Sequence, residues 1–370
     1  MRICFVTAQV GTQHHTMMRA VGMAPVLAAS GHAVTVVAED HPDNRQLLGS
    51  LPNVECQYVA RSSARGDIRA KAARIQGRGF DVIHSCGLDP RTFVPRRARR
   101  GAFWIVDHVE RLSALTTMPW HKRAFWRWAE RQALFAADGT IAASRYLEFF
   151  FRARLLRKGA HRPLLWLPYA VPQSFIDEIR DRQAHRPKQA ETTLLFAGGF
   201  YRAYGVYDIV AALSMLKAHE TRWRFLFLGK GPEKQGLIDA VRDSGVADRV
   251  TFTGYLPMPD YVRTLAEADV LISPMHDTEA DWARCPSKLY YYVATRRPIV
   301  TAAIGENVEV LGDTGHYYRP GSPRSLAAAL GGAIQASALS DAAARAVPPE
   351  RHTWEHRCAR YVKWLEASLA

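Results

Sequence analysis

Cysteine is scarce in this 370-residue chain and lies scattered: Cys4, Cys56, Cys86, Cys285 and Cys358, with no Cys-x-x-Cys pair. That spacing builds neither a disulfide framework nor a zinc site, and it fits a reducing compartment. The 14 histidines include no His-Glu-x-x-His, so no catalytic metal is expected. Nowhere do the roughly 18–20 uncharged apolar residues of a spanning helix run together. A mean hydropathy of −0.18 also excludes a polytopic membrane protein. The chain opens directly on the strand-like run Arg2-Ile3-Cys4-Phe5-Val6-Thr7. It has no apolar leader core or small-residue cleavage site there, so a cytoplasmic location is expected.

Acidic residues are sparse in the first half. Residues 1–172 hold 12 Asp/Glu against 25 Lys/Arg, a balance of +13, whereas residues 173–370 hold 23 against 24, a balance of +1. A basic half implies contact with a polyanion, an anionic membrane surface or phosphate-bearing substrates. No nucleic-acid reader motif accompanies the charge, so nucleic acid is not expected as a partner.

What is present is ordinary globular composition, 48% hydrophobic and 23% charged, in a chain long enough for two domains. Short apolar runs at Ile3–Val6, Ala33–Ala38, Val54–Val59, Val82–His84, Phe103–Val106 and Thr140–Ala142 alternate with helix-like stretches. Strands separated by helices imply βαβ units and a parallel sheet, hence an α/β fold. Pro168–Pro172 leads into the polar stretch Arg180–Glu191, after which the alternation restarts at Leu194–Ala197. The expected organisation is a Rossmann-like domain at 1–172, a linker at 173–191, a second Rossmann-like domain at 192–345 and a C-terminal helix at 346–370 that crosses back to the first domain. Two such domains place a cleft between the carboxyl ends of their sheets.

Three turns carry the chemistry. Gly198-Gly199-Phe200-Tyr201-Arg202 follows a strand and precedes a helix. Paired glycines let the backbone approach a ligand, a helix N-terminus favours an anion, and Arg202 can grip phosphate. The alternative is an ordinary glycine-rich turn. Leu228-Gly229-Lys230-Gly231-Pro232 is a second turn of this kind. The third is Cys285-Pro286-Ser287-Lys288, where Pro286 is placed to open a helix with Ser287 and Lys288 in its first turn. A lysine there opposes the helix dipole unless an anion is present, which fits a diphosphate; the alternative is a solvent-facing lysine on an amphipathic helix.

In order and spacing, Phe196–Ala212, Phe225–Pro232, Phe252–Pro257, Ala268–Pro274 and Pro286–Val300 resemble the donor domain of GT-B glycosyltransferases. The likeness is to glycosyltransferase family 4 and related bacterial polysaccharide enzymes. Gly31–Val37 and Asp81–Ser85 resemble strands of its acceptor domain. The resemblance implies a metal-independent hexosyltransferase of polysaccharide biosynthesis, with a nucleotide sugar (UDP- or GDP-linked) as co-substrate and no other cofactor. It implies that Gly199 and Arg202 meet the donor phosphates, Lys230 lies under the nucleotide, Tyr255 borders the nucleobase, and Ser287 and Lys288 hold diphosphate or ribose. Of the family's two glutamates eight positions apart, the second falls here on Tyr291 and the first on Ala283, with Glu279 or Asp281 nearby as a substitute. A nucleotide-sugar epimerase of the same architecture is the alternative activity.

The acceptor side needs an acid–base group. Asp107, His108 and Glu110 follow the strand Phe103–Val106, where a βα loop meets the expected cleft, and one of them can deprotonate an acceptor hydroxyl. Alternatively Asp107 caps a helix, with Glu110 as its capping-box partner. His14 and His15, after the first strand, are further acceptor-side candidates. Residues 120–158 combine cations with Trp120, Trp126, Trp128 and Phe149–Phe151. This composition suits an anionic bilayer surface and a lipid-linked or glycan acceptor, with the protein peripheral on the inner face of the cell membrane. The alternative is that these aromatics pack in the core.

Overall fold

The computed structural model describes residues 1–8, 10, 15–187, 189–216, 222–339 and 346–370. The chain forms two compact units. The first comprises Met1–Ala170, Ala283–Cys285 and Thr353–Ala370. The second comprises Val171–Trp282 and Pro286–His352.

The first unit is built on a parallel sheet of β1 (Arg2–Val6), β2 (Ala33–Glu39), β3 (Val54–Val59), β4 (Val82–Ser85), β5 (Phe103–His108), β6 (Gly139–Ala142) and β7 (Leu164–Trp166). The spatial order is β3-β2-β1-β4-β5-β6-β7, so the direction of winding reverses between β1 and β4. Ile3 through Val6, Val36 through Ala38 and Ile105 are fully buried, as strands covered on both faces require. The last helix, Trp354–Leu369, belongs to this unit. Its first residue, Trp354, lies flat on Gly22 of the helix His15–Ala29, where a Cβ would overlap the indole. Cys358 and Tyr361 of the same helix reach Met23 and His84.

The second unit repeats the pattern with β8 (Thr192–Ala197), β9 (Trp223–Leu228), β10 (Val250–Gly254), β11 (Val270–Ser273), β12 (Ile299–Ala302) and β13 (His316–Tyr318). All pairs are parallel, in the order β10-β9-β8-β11-β12-β13. The reversal lies between β8 and β11. Its core centres on Phe196, Phe200, Phe225 and Phe227, closed by Leu213, Leu326 and Leu330 from two helices.

Three expectations need correction. The stretch 173–191 is not an extended linker: Gln173–Ala184 is a helix of the second unit that buries Phe175, Ile176 and Ile179 and turns its charged residues outward. The closing segment divides, with residues up to His352 in the second unit and Thr353–Ala370 in the first. No helix starts at Asp107. The chain runs from β5 through a single 3-10 turn, Leu112–Ala114, to the helix Trp120–Ala136, so the capping-box reading fails.

Candidate functional site

The two predicted glycine turns of the second unit, at Gly198 and Gly229, sit side by side with the Gly254 turn at the carboxyl edge of its sheet. The Gly198 amide donates to Leu228 O at 2.9 Å, the Phe200 amide to Lys230 O at 3.0 Å, and the Gly229 amide to Gly254 O at 2.9 Å. The turns after β8, β9 and β10 are thereby tied in a row. This packing accounts for most of the glycines. Gly198 and Gly229 have φ of +153° and +134°, and a Cβ on Gly229 would overlap the Gly198 carbonyl. Gly231 meets the Phe200 backbone in the same way, while Gly199 is crowded by the Tyr201 ring.

The helix Ser287–Ala294 docks onto this edge at the reversal point. The Tyr292 hydroxyl accepts from the Ala197 amide at 2.8 Å and lies 3.4 Å from Ile272 O, so one side chain bridges the ends of β8 and β11. Lys288, one turn earlier on the same face, carries its ammonium 4.1 Å from the Phe196 ring centroid. A Cβ on Gly198 would lie 2.9 Å from that Nζ. The Lys288 charge, the first turn of the helix and the Gly198 turn therefore converge where open α/β sheets hold ligands. Pro286 precedes the helix without a side-chain cap, so the positive end of the helix dipole lies at this point.

The other predicted residues fall into distinct settings. Lys230 is exposed, and its ammonium lies 5.6 Å from the ring centroid of Tyr255, itself 58% exposed, so an aromatic face with a cation beside it stands at the ends of β9 and β10. Arg202 lies in a surface cluster, 3.6 Å from Glu233 and stacked over Tyr207 at 4.4 Å, with the Tyr207 hydroxyl donating to Glu233 at 2.6 Å. Tyr291 has aromatic neighbours, Phe175 at 5.0 Å and Tyr261 at 5.8 Å, and burial pushes its hydroxyl up to about 12. It fills a packing position between two helices. Glu279 is exposed at the start of the short helix Glu279–Ala283.

Sequence reasoning missed Tyr292, whose only signal was its i+4 spacing from Lys288. It also missed Glu306 and Asn307, both fully buried just beyond β12. The Tyr290 hydroxyl donates to Glu306 at 3.1 Å, and the Asn307 amide donates to Thr301 at 2.7 Å.

In the first unit the predicted acid–base group separates. Asp107 is fully buried in an ion pair with Arg19, whose guanidinium also donates to Leu167 O at 2.8 Å and stacks on Tyr169 at 4.9 Å. Burial raises the Asp107 carboxyl and Arg19 opposes that rise. His108 is fully buried with its ring 4.3 Å from Phe151, and burial lowers it to about 3, so it is neutral at ordinary pH. Glu110 alone retains solvent access; burial raises its carboxyl and Arg284 opposes. His14 lies outside the described residues, and His15 is described only as the first backbone position of its helix. Among the described residues no three His, Cys, Asp or Glu side chains gather as metal ligands.

The aromatics of residues 120–158 also divide. Phe151 is buried and Trp126 packs on the core, while Phe150 is held between Arg111 at 3.9 Å and Arg154 at 4.1 Å. Trp120 is 79%, Trp128 58% and Phe149 64% exposed, among Lys122, Arg127, Arg131, Arg152 and Lys158. Among the described residues no helix is long and apolar enough to cross a membrane.

The family model for "Glycosyl transferases group 1" matches residues 191–336. Glycogen synthase of Mycobacterium tuberculosis is 28% identical over 165 residues, 44% of this chain and 39% of that protein. The 2-deoxystreptamine glucosyltransferase of Streptomyces kanamyceticus is 30% identical over 88 residues, 24% of this chain and 23% of that one. The matched stretch thus spans well under half of either relative. Anabaena HepE in complex with UDP superposes with a TM-score of 0.74 at 14% identity, over 99% of this chain and 100% of that one. Sucrose-phosphate synthase of Thermosynechococcus elongatus gives 0.73 at 17% identity over 99% of each chain. These likenesses show the fold, two Rossmann-like parallel sheets of the GT-B type. They do not favour an epimerase.

Proposed function

From a second unit whose residues 191–336 form a group 1 glycosyltransferase domain, on a GT-B fold, we propose that this protein transfers a sugar from a nucleoside-diphosphate sugar to an acceptor hydroxyl. The observation that carries the reading is the Lys288 ammonium beside the Gly198 turn at the point where the sheet reverses. The acceptor oxygen bonds to the anomeric carbon as the bond from that carbon to the diphosphate oxygen breaks. Charge then builds on the departing diphosphate. Lys288, the Ser287 hydroxyl and the positive end of the helix dipole stabilise it, aimed in advance and partly shielded from water. Arg202 joins them by leaving Glu233, an exposed pair that costs about 1 kcal/mol or less to break. The nucleobase stacks on Tyr255 with Lys230 alongside. UDP bound to Anabaena HepE supports uridine as the first base to test.

The first unit handles the acceptor. Glu110 is its base, because a half-exposed carboxyl with a raised pKa can receive a hydroxyl proton, whereas Asp107 is committed to Arg19 and His108 is sealed against Phe151. Asp107 acts by position, fixing the end of β5. The exposed tryptophans and cations of residues 120–158 dock on an anionic bilayer, which suits a lipid-linked glycan acceptor.

A thermal-shift screen of UDP, GDP, ADP and dTDP finds the donor, since a tight ligand stabilises by mass action. With that donor, Lys288→Ala loses turnover by ~100-fold or more at an unchanged melting temperature. Unchanged turnover would remove the assignment. Glu110→Gln loses turnover while keeping nucleotide affinity.

A further inference from the structure

The amino edge of the first sheet, opposite the end where Asp107 and His108 lie, carries a cavity of about 600 Å³. It is bounded by Phe103 at the start of β5, Asp138 just before β6 and Arg162 just before β7. The length of β5 puts it roughly 17 Å from His108. Arg96, Arg99 and Arg162 line it, and Asp138 is the only acid among the lining residues. Arg96 and Arg99 belong to the run Pro95-Arg96-Arg97-Ala98-Arg99-Arg100-Gly101, in which Arg97 and Arg100 are exposed as well.

These arginines are aimed by local structure. Arg99 is only 14% exposed, lies flat on Trp104 at 4.2 Å, and has a buried Nε with no hydrogen-bond partner. Its link to Asp138 is loose, at 3.7 Å, because the Asp138 carboxylate already accepts from the Trp104 amide at 2.9 Å. Arg162 is pinned by donating to Ala137 O at 2.8 Å. Burial lowers the Arg99 pKa, Asp138 opposes that fall and the neighbouring Arg96 adds to it. A concave set of guanidiniums with spare donors and one weak counter-ion matches a multiply charged phosphate group, which guanidinium forks bind bidentately.

We propose that this cavity is a binding site for a small polyphosphate group, held by Arg96, Arg99 and Arg162 and separate from the nucleotide site of the second unit. A free polyphosphate and the pyrophosphate or phosphate headgroup of a lipid share this chemistry.

The test titrates tripolyphosphate into the full-length Lys288→Ala protein, in which the second-unit phosphate site is disabled, and into Lys288→Ala carrying Arg96→Glu. Arg96 is exposed, so its replacement leaves the fold intact; a further Arg99→Gln variant is compared with it. Binding that weakens about tenfold or more in the Arg96→Glu protein, falls with added salt and is untouched by UDP in the Lys288→Ala protein is the expected result. Vesicles containing phosphatidic acid displace tripolyphosphate if a lipid headgroup is the natural occupant, and leave it bound if a free phosphate is. No tripolyphosphate binding to Lys288→Ala, or the same affinity with and without Arg96→Glu, would overturn the proposal.

Discussion

The two units share a topology but are filled differently. Among the described residues the first buries Arg19, Glu39, Asp67, Lys71, Asp107, Arg111, Glu130, Glu148 and Arg357, with His84 and His108 as well; the second buries Asp281 and Glu306. In place of charge the second packs phenylalanine on phenylalanine, with Phe227 stacked on Phe252 at 5.0 Å and tilted against Phe225 at 4.5 Å. An apolar core of this kind is held by close packing rather than by paired charge. The first unit's interior depends on partners being present in pairs, such as Arg19 with Asp107 and Lys71 with Glu39 and Thr7 O. There, removing one partner leaves a buried charge uncompensated.

The largest effect expected from this contrast is on stability. Asp107→Ala strands the Arg19 guanidinium and costs about 3–5 kcal/mol in denaturant unfolding, while Arg19→Met with Asp107→Leu recovers most of it. A loss below ~1 kcal/mol for Asp107→Ala would show that the pair is not structural.

The next effect is on pH dependence. His108 falls from an ordinary value near 6.5 to about 3 because burial disfavours its charged form. Below pH 6.5 the unfolded chain takes up a proton that the folded one refuses. The contribution is therefore present above pH 6.5 and is lost as pH falls toward 3, by about 1.4 kcal/mol per unit. The carboxyls of Asp107 and Glu110, raised by burial, act in the opposite sense, so the quantity to measure is the difference between wild type and His108→Phe. That difference grows as the solution is acidified. A difference independent of pH between 6.5 and 4 contradicts the buried, neutral ring.

The smallest effect is at the surface. Trp120→Ala with Trp128→Ala leaves stability within about 0.5 kcal/mol of wild type, since both rings are exposed. It lowers co-sedimentation with anionic vesicles several-fold. Equal, negligible binding of wild type to anionic and neutral vesicles removes the membrane reading.

How much of this was legible in the sequence also differs between regions. Short apolar runs located β1 and β5, and alternation located β3, to within two residues. The three-residue strands β7 and β13 were missed, β7 in a short run closed by Pro163 and Pro168 and β13 in His316-Tyr317-Tyr318, and their residues are mostly half-buried. The helix Gln173–Ala184 was hidden by its charged outer face, although Phe175, Ile176 and Ile179 already had helical spacing. Lys288 stood out because a cation in a helix's first turn is locally unfavourable. Tyr292 did not, because its partner is a backbone amide 95 positions away. The ion pair of Asp107, a candidate base with a helix cap as the alternative, was hidden for the same reason, since Arg19 comes from a distant helix.

The most direct test of the central claim is a crystal structure of this protein with the nucleoside diphosphate that stabilises it most. The account predicts the terminal phosphate within hydrogen-bond reach of the Ser287 hydroxyl and the Lys288 ammonium, beside the Gly198 turn. A nucleotide seated elsewhere, with Lys288 still resting on Phe196, contradicts it.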